Sequence, residues 1–179
     1  MLKKSILVIL ILISLFLIYV AIIPGDYLIK REIEINQSTE KIFPYIASVK
    51  LADEWMPWKE QDPNLKMTYQ GPERGVGATS IWESSGNMGQ GKAEVVEEIL
   101  NEKVKTKITY TKPMNFEQIS IFKLTKKNEN QSIMEWSVEG KNTFLGRLIC
   151  TLGIINMDKY VGNEFEKGLK KLKGMVEKK

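Results

Sequence analysis

Eighteen consecutive residues, Ile6 to Ile23, carry no charge and only two polar side chains, Ser14 and Tyr19. At ~1.5 Å per residue a helix of that length spans roughly 27 Å, near the hydrocarbon thickness of a bilayer. Pro24-Gly25-Asp26 closes the run. Everything after Pro24 is therefore expected at a membrane surface. Lys3 and Lys4 precede the run and favour an inside N-terminus with the domain on the extracytoplasmic side, although Lys30 and Arg31 follow closely behind. A cleaved signal sequence is the main competing reading, and a buried core helix at the extreme N-terminus is the third. The apolar core of a signal sequence would span only about 7–15 residues. Neither Tyr19-Val20-Ala21 nor Ile23-Pro24-Gly25 offers a small-x-small cleavage site, and no cysteine follows the run to take a lipid. The expectation is a single-pass anchor in the cell membrane over residues 1–25 and one domain over residues 26–179.

That domain has 154 residues, enough for one real core. It holds all 22 acidic residues and 24 of the 26 basic ones, a net charge of +2. So even a balance argues against a nucleic-acid partner, which needs a concentrated basic face. The C-terminal lysines, from Lys167 to Lys179, alternate with Glu164, Glu166 and Glu177 and read as a solvated helix face, with anionic headgroups as the alternative contact. The chain has no histidine, which removes the commonest general base and the commonest metal ligand. Its one cysteine, Cys150, lies in Leu148-Ile149-Cys150-Thr151-Leu152 and reads as a small buried hydrophobe. No cofactor is expected.

Tyr27 to Asn36 alternates, with Tyr27, Ile29, Ile33 and Ile35 on one face, as a half-buried strand does. Ser38 or Thr39 opens a helix with an apolar stripe of Ile42, Phe43, Ile46 and Val49. A short helical piece over Leu51 to Trp55 leads into Trp55-Met56-Pro57-Trp58. Strands are then predicted over Leu65 to Gln70, Gly77 to Ser84, Met88 to Leu100, Lys103 to Thr111, Phe116 to Leu124 and Ile133 to Gly140, separated by Gly, Pro, Asn and Asp turns. Gly89 and Gly91 mark a bulge or a close backbone approach. From Thr143 the period turns helical, with Leu145, Leu148, Leu152, Ile155, Val161, Phe165, Leu169, Leu172 and Val176 as one stripe that Gly153 and Gly162 loosen or kink. Strands in a run with helices at the ends make an α+β fold: a curved antiparallel sheet of six to seven strands covered by a long C-terminal helix.

At this point the chain resembles the polyketide cyclase/START-like superfamily, which includes the Bet v 1-type allergens. The resemblance rests on element order and on local sequence. Glu32-Ile33-Glu34-Ile35-Asn36 with Thr39-Glu40-Lys41-Ile42-Phe43 is similar to its opening strand and helix, and Trp55-Met56-Pro57-Trp58 to its short second helix. Tyr69-Gln70-Gly71-Pro72 and Gly75-Val76-Gly77-Ala78 resemble its early hairpin. Trp82-Glu83, Trp136-Ser137-Val138-Glu139-Gly140 and Phe165-Glu166-Lys167-Gly168-Leu169 resemble its later strands and closing helix. The resemblance implies a helix-grip fold with a cavity between sheet and helix. It implies no reaction and no shared catalytic set, because one fold hosts many functions.

The candidate lining of such a cavity is Trp82, Tyr110, Met134, Trp136, Met157, Tyr160 and Phe165. Aromatics and methionines suit apolar ligands, and the two tyrosines would supply the few polar groups a small-molecule site uses. Plain core packing is the commoner fate of such tryptophans and methionines. Glu83 is a proton donor only if its strand face points inward; Trp82 is on the opposite face, so one of the two must be outward. No catalytic set, phosphate loop or metal cluster is apparent. The leading expectation is a membrane-anchored domain binding an apolar or amphipathic small molecule, with a lipid among the candidates. A cyclase- or hydrolase-type enzyme using Glu83 or Tyr110 and a non-catalytic envelope scaffold are the alternatives.

Overall fold

The computed structural model describes residues 2–86 and 88–178. Met1, Asn87 (the last residue of the predicted Ser85-Gly86-Asn87 turn) and Lys179 lie outside the described residues. The chain runs α1 (Leu2–Ile22), β1 (Asp26–Ile35), α2 (Thr39–Ala47), α3 (Val49–Trp55), α4 (Trp58–Gln61), β2 (Lys66–Gln70) and β3 (Thr79–Glu83). It continues with β4 (Gln90–Ile99), β5 (Lys103–Lys112), β6 (Phe116–Asn128), β7 (Gln131–Lys141), α5 (Phe144–Thr151) and α6 (Met157–Glu177). All seven strands form one curved antiparallel sheet in the order β1-β7-β6-β5-β4-β3-β2. This is the expected α+β helix-grip architecture.

α1 is the single helix among the described residues long and apolar enough to cross a membrane, and a signal sequence meets the same measure. Within it only Val20 is fully buried, with Phe16 half-buried one turn earlier. β1 then follows directly, its odd-numbered side chains turned to the concave face of the sheet.

That face follows from the pairing register, because side chains alternate along each strand. Ile29 stands opposite Val138, Arg31 opposite Trp136 and Ile33 opposite Met134. Trp136 and Met134 in turn pair with Phe122 and Leu124. α6 lays Phe165, Leu169, Leu172 and Val176 on this surface, and α2 adds Ile42, Phe43 and Ile46; all are buried. α3 is tied to α2 through the Trp55 indole N–H, which donates to the Tyr45 carbonyl at 2.9 Å. α6 packs chiefly against β1, at one edge of the sheet. The concave face of β3, β4 and β5 is left less covered.

The helical pattern that begins after Thr143 is two helices, not one. Thr143 caps α5 by accepting from the Gly146 N–H, and Asn156 caps α6 by accepting from the Lys159 N–H at 2.9 Å. Between them Gly153 takes a φ of 68°, the left-handed region that ends helices. Gly162, by contrast, does not interrupt α6. It is the place where the Arg31 guanidinium crosses the helix, so close that a Cβ would collide with it. Arg31 donates to the Asp158 carboxylate at 3.0 Å and to Glu166 at 3.2 Å, clamping the start of α6 to β1. The hydrogen bond from Arg31 holds the Asp158 carboxyl below the usual range.

Candidate functional site

The candidate residues fall into three places. Met134, Trp136 and Phe165 are in the core. Trp136 is 2 % exposed, stacks on Phe165 at 3.9 Å, meets Trp55, Trp58 and Phe122 edge-on or tilted, and donates its indole N–H to the buried Ser120 hydroxyl at 3.1 Å. Gly168 of α6 makes room for this ring. Met157 and Tyr160 are exposed at the start of α6, away from that cluster. Cys150, read as buried, is half-exposed on α5. For Cys150 the reason is that α5 packs beside α1 and not on the sheet, and Met157 and Tyr160 fall on the first turn of α6, which faces away from the sheet.

Trp82 and Tyr110 do come together. Trp82 pairs with Gly91, Gly91 with Tyr110, and Tyr110 with Phe116, so all lie on the concave face. The Trp82 and Tyr110 rings meet edge to face at 5.2 Å, and Tyr110 stacks on Phe116 at 4.1 Å. With Trp82 inward, Glu83 is outward and exposed. The ladder slips by one residue between Gln90 and Gly91, which is the bulge that the paired glycines suggested. Gly91 is also the close approach: a Cβ there would run into the Trp82 ring and the Thr109 carbonyl. Gly91→Ala is expected to displace the indole and cost about 1–3 kcal/mol, read as a lowered urea midpoint. An unchanged midpoint would mean that the ring does not rest on the strand.

Two further residues complete this site, and sequence reasoning did not single them out. The Tyr27 hydroxyl donates to Gln118 Oε1 at 2.7 Å, and Gln118 Nε2 donates to the Tyr110 oxygen at 3.0 Å. Gly140, paired with Tyr27, leaves the space that the Tyr27 ring crosses. One amide now bridges two phenols. Whichever way the amide is turned, one tyrosine donates to its oxygen and the other accepts from its nitrogen. One phenolic O–H is therefore left without an acceptor among the described residues. Burial pushes the Tyr110 hydroxyl up to about 12, and it raises Tyr27 as well. Both stay protonated donors at neutral pH.

The site thus combines aromatic walls with one free hydrogen-bond donor. It lies at the end of the sheet where α1 enters and α5 begins, since Tyr27 is the second residue of β1 and Gly140 the last but one of β7. Its walls are half-buried, not closed. Two depressions among the described residues lie elsewhere. One, about 300 Å³, runs along the flank of α6 past Tyr160, Glu164 and Lys167. The other, about 460 Å³, lies between Pro44, Tyr45, Leu51, Glu54 and Met175.

A buried carboxyl stands further along the concave face. Asp53 of α3 accepts from the Tyr69 hydroxyl at 3.0 Å, and Tyr69 pairs with Ser80 on the inner face of β3. Burial pushes the Asp53 carboxyl up to about 6, against the opposing effect of the Tyr69 hydrogen bond and of Lys59. Burial and the neighbouring carboxylate raise the Tyr69 phenol in turn. No local pattern marks Asp53, because its partner is 16 residues away.

No family model matches the chain, and no curated protein matches it. Solved structures do. Norcoclaurine synthase from Thalictrum flavum, in complex with dopamine and hydroxybenzaldehyde, aligns over 87 % of this chain and 88 % of its own, with a TM-score of 0.62 at 13 % identity. The Aha1 dimer from Colwellia psychrerythraea aligns over 84 % and 96 %, with a TM-score of 0.57 at 20 % identity. The Mll3558 protein from Rhizobium loti aligns over 83 % and 96 %, with a TM-score of 0.60 at 12 % identity. These likenesses are likenesses of fold.

Proposed function

We propose that the chain is a membrane-tethered member of the polyketide cyclase/START-like superfamily that takes up an apolar or amphipathic small molecule, a lipid among the candidates, on the concave face around Trp82 and Tyr110. The observation that carries this reading is the unmatched phenolic O–H among half-buried aromatics. Such a surface removes apolar area from water when covered, at roughly 25 cal/mol per Å², and it fixes one polar group of whatever covers it. Norcoclaurine synthase, of the same fold, is seen with dopamine and hydroxybenzaldehyde bound. α1 tethers the domain on the extracytoplasmic side and raises the local concentration of membrane-derived ligand. Trp82 and Tyr110 line the ligand; Met134, Trp136 and Phe165 support it from the core.

Trp82 makes the test direct, because Trp55, Trp58 and Trp136 belong to the core cluster. Full-length protein in nanodiscs is titrated with a panel of brominated fatty acids and lysolipids. Part of the emission is expected to be quenched at saturation, and that part is expected to vanish in Trp82→Phe. Tyr110→Phe is expected to weaken carbonyl-bearing ligands by roughly 2- to 12-fold, the worth of one hydrogen bond of about 0.5–1.5 kcal/mol. No binding across the panel, together with a ligand-free native mass for protein taken directly from membranes, overturns the reading.

Asp53 favours a second reading. A carboxyl pushed up to about 6 can give or take a proton near neutral pH. Turnover of a bound ligand that is lost in Asp53→Asn while binding persists would make the domain an enzyme.

A further inference from the structure

The helix that the sequence joins to the core does not join it. Phe144, Leu145, Leu152, Ile154 and Ile155, on α5 and the connection to α6, are between 42 and 66 % exposed. Between Phe144 and Met157 the chain has a single charge, Arg147. An apolar segment left this exposed over some fourteen residues of sequence calls for a covering surface. Its place in the fold says what covers it. α5 packs on α1, and the covered positions of α1, Phe16 and Val20, belong to its last turns. The Arg147 guanidinium donates to the Ile23 carbonyl at 2.9 Å. That carbonyl is one of those the C-terminal end of a helix leaves unpaired, and the cation also suits the negative end of the helix dipole. The one charge of the segment is thus spent on α1. Backbone contact from Asn142 N–H to the Gly25 carbonyl at 2.8 Å fixes the start of α5 at the same level.

We propose that α5 and the connection Leu152–Asn156 lie in the headgroup–acyl boundary of the bilayer that α1 crosses, as a second, interfacial membrane contact. The proposal rests on the reading of α1 as a membrane span and deepens it. The apolar surface of α5 is continuous with that of α1, so lipid that surrounds one reaches the other. Tyr19, exposed one turn before Ile23, has the amphipathic ring that favours the same boundary. Charge returns at the exposed Asp26–Lys141 pair, 3.5 Å apart beside Gly25, and at Asp158 with Arg31, and these mark the upper limit of the contact. The segment has the character of an interfacial element, apolar on one side and anchored by polar contacts on the other. Its consequence is orientation. The sheet end carrying Tyr27, Gln118, Tyr110 and Trp82 rests against the lipid, so a ligand passes from bilayer to site without crossing water.

The test uses full-length protein in phosphatidylcholine vesicles, in a Cys150→Ser background, with an NBD fluorophore on one new cysteine at a time. Ser14→Cys reports the span, Ile154→Cys the proposed contact and Glu129→Cys the far hairpin between β6 and β7. The expected result is that lipid labelled with a nitroxide near the headgroup quenches most of the emission at position 154 and none at 129, while a deep nitroxide quenches position 14. Quenching at 14 without quenching at 154 overturns the proposal and leaves the span intact. A position 154 that is shielded from lipid and cross-links to itself assigns the surface to a second copy of the chain, which also overturns it. Absence of quenching at both positions overturns the span and the proposal together.

Discussion

Trp136→Ala is expected to remove a large share of the domain's stability. The indole is 2 % exposed and touches four other aromatic rings, so truncation leaves a cavity lined by Trp55, Trp58, Phe122 and Phe165. It also strips the buried Ser120 hydroxyl of its donor. Large aromatic truncations in cores cost about 3–5 kcal/mol, against a total of about 5–15 kcal/mol for a domain. For a domain of this size each kcal/mol shifts the melting temperature by roughly 2–4 °C, so a fall of ~6–20 °C is expected. Trp136→Phe keeps an aromatic ring in the cluster and loses the N–H and only part of the volume, so it should cost distinctly less. Urea unfolding of the two variants in detergent, followed by circular dichroism, checks the order. A loss below about 1 kcal/mol in Trp136→Ala would show that the cluster is loosely packed and open to a ligand, which would move the proposed binding site from Trp82 and Tyr110 toward the helix.

Trp136 and Trp82 show what sequence can and cannot decide. Both sit on alternating strands, and the alternation made the strands legible because each has one face on the core. It also made the choice between Trp82 and Glu83 a strict either-or, since neighbours on a strand cannot share a face. What alternation does not contain is how far the helix reaches across the sheet. α6 covers Trp136 and leaves Trp82 half-open, a difference set by its packing on β1. The bridge from Tyr27 through Gln118 to Tyr110 was illegible for a related reason. Its members are 91 and 8 residues apart, and only the register of β1, β7, β6 and β5 brings them level. Gly91 was legible as a close approach, but not the ring that approaches. The C-terminal stripe misled most. Leu145, Leu148, Leu152 and Ile155 keep the spacing of a core-facing helix, yet periodicity states only that a face is apolar and is silent on what covers it. The break was written in Gly153 and Asn156, a helix ender and a helix cap, once they are given the weight of stop and start signals.

Asp53→Asn is expected to stabilise the protein at neutral pH and to remove a pH dependence. In the folded domain the Asp53 carboxyl titrates at about 6, pushed up from an ordinary value of 3.8 because burial penalises the charged form. Between those two values the folded state holds more protons than the unfolded one. Stability from this group is therefore greatest below about pH 4, falls as pH rises to about 6, and is flat above it. The full span is on the order of 3 kcal/mol. An asparagine has nearly the same shape, keeps a carbonyl oxygen to accept from the Tyr69 hydroxyl, and carries no charge to desolvate. Urea midpoints measured from pH 4.5 to 7.5 should fall with pH more steeply in the native protein than in the variant. The gap should widen to about 2–3 kcal/mol at the upper end. Parallel slopes would mean that water reaches the Asp53 carboxylate. Its claim to a proton-transfer role would then go too, because the same desolvation that weakens the fold is what brings the carboxyl near neutrality. The test therefore bears on the second reading as much as on stability: the buried carboxyl and the Tyr69 hydroxyl that donates to it are the pair through which the proposed binding face would handle a proton.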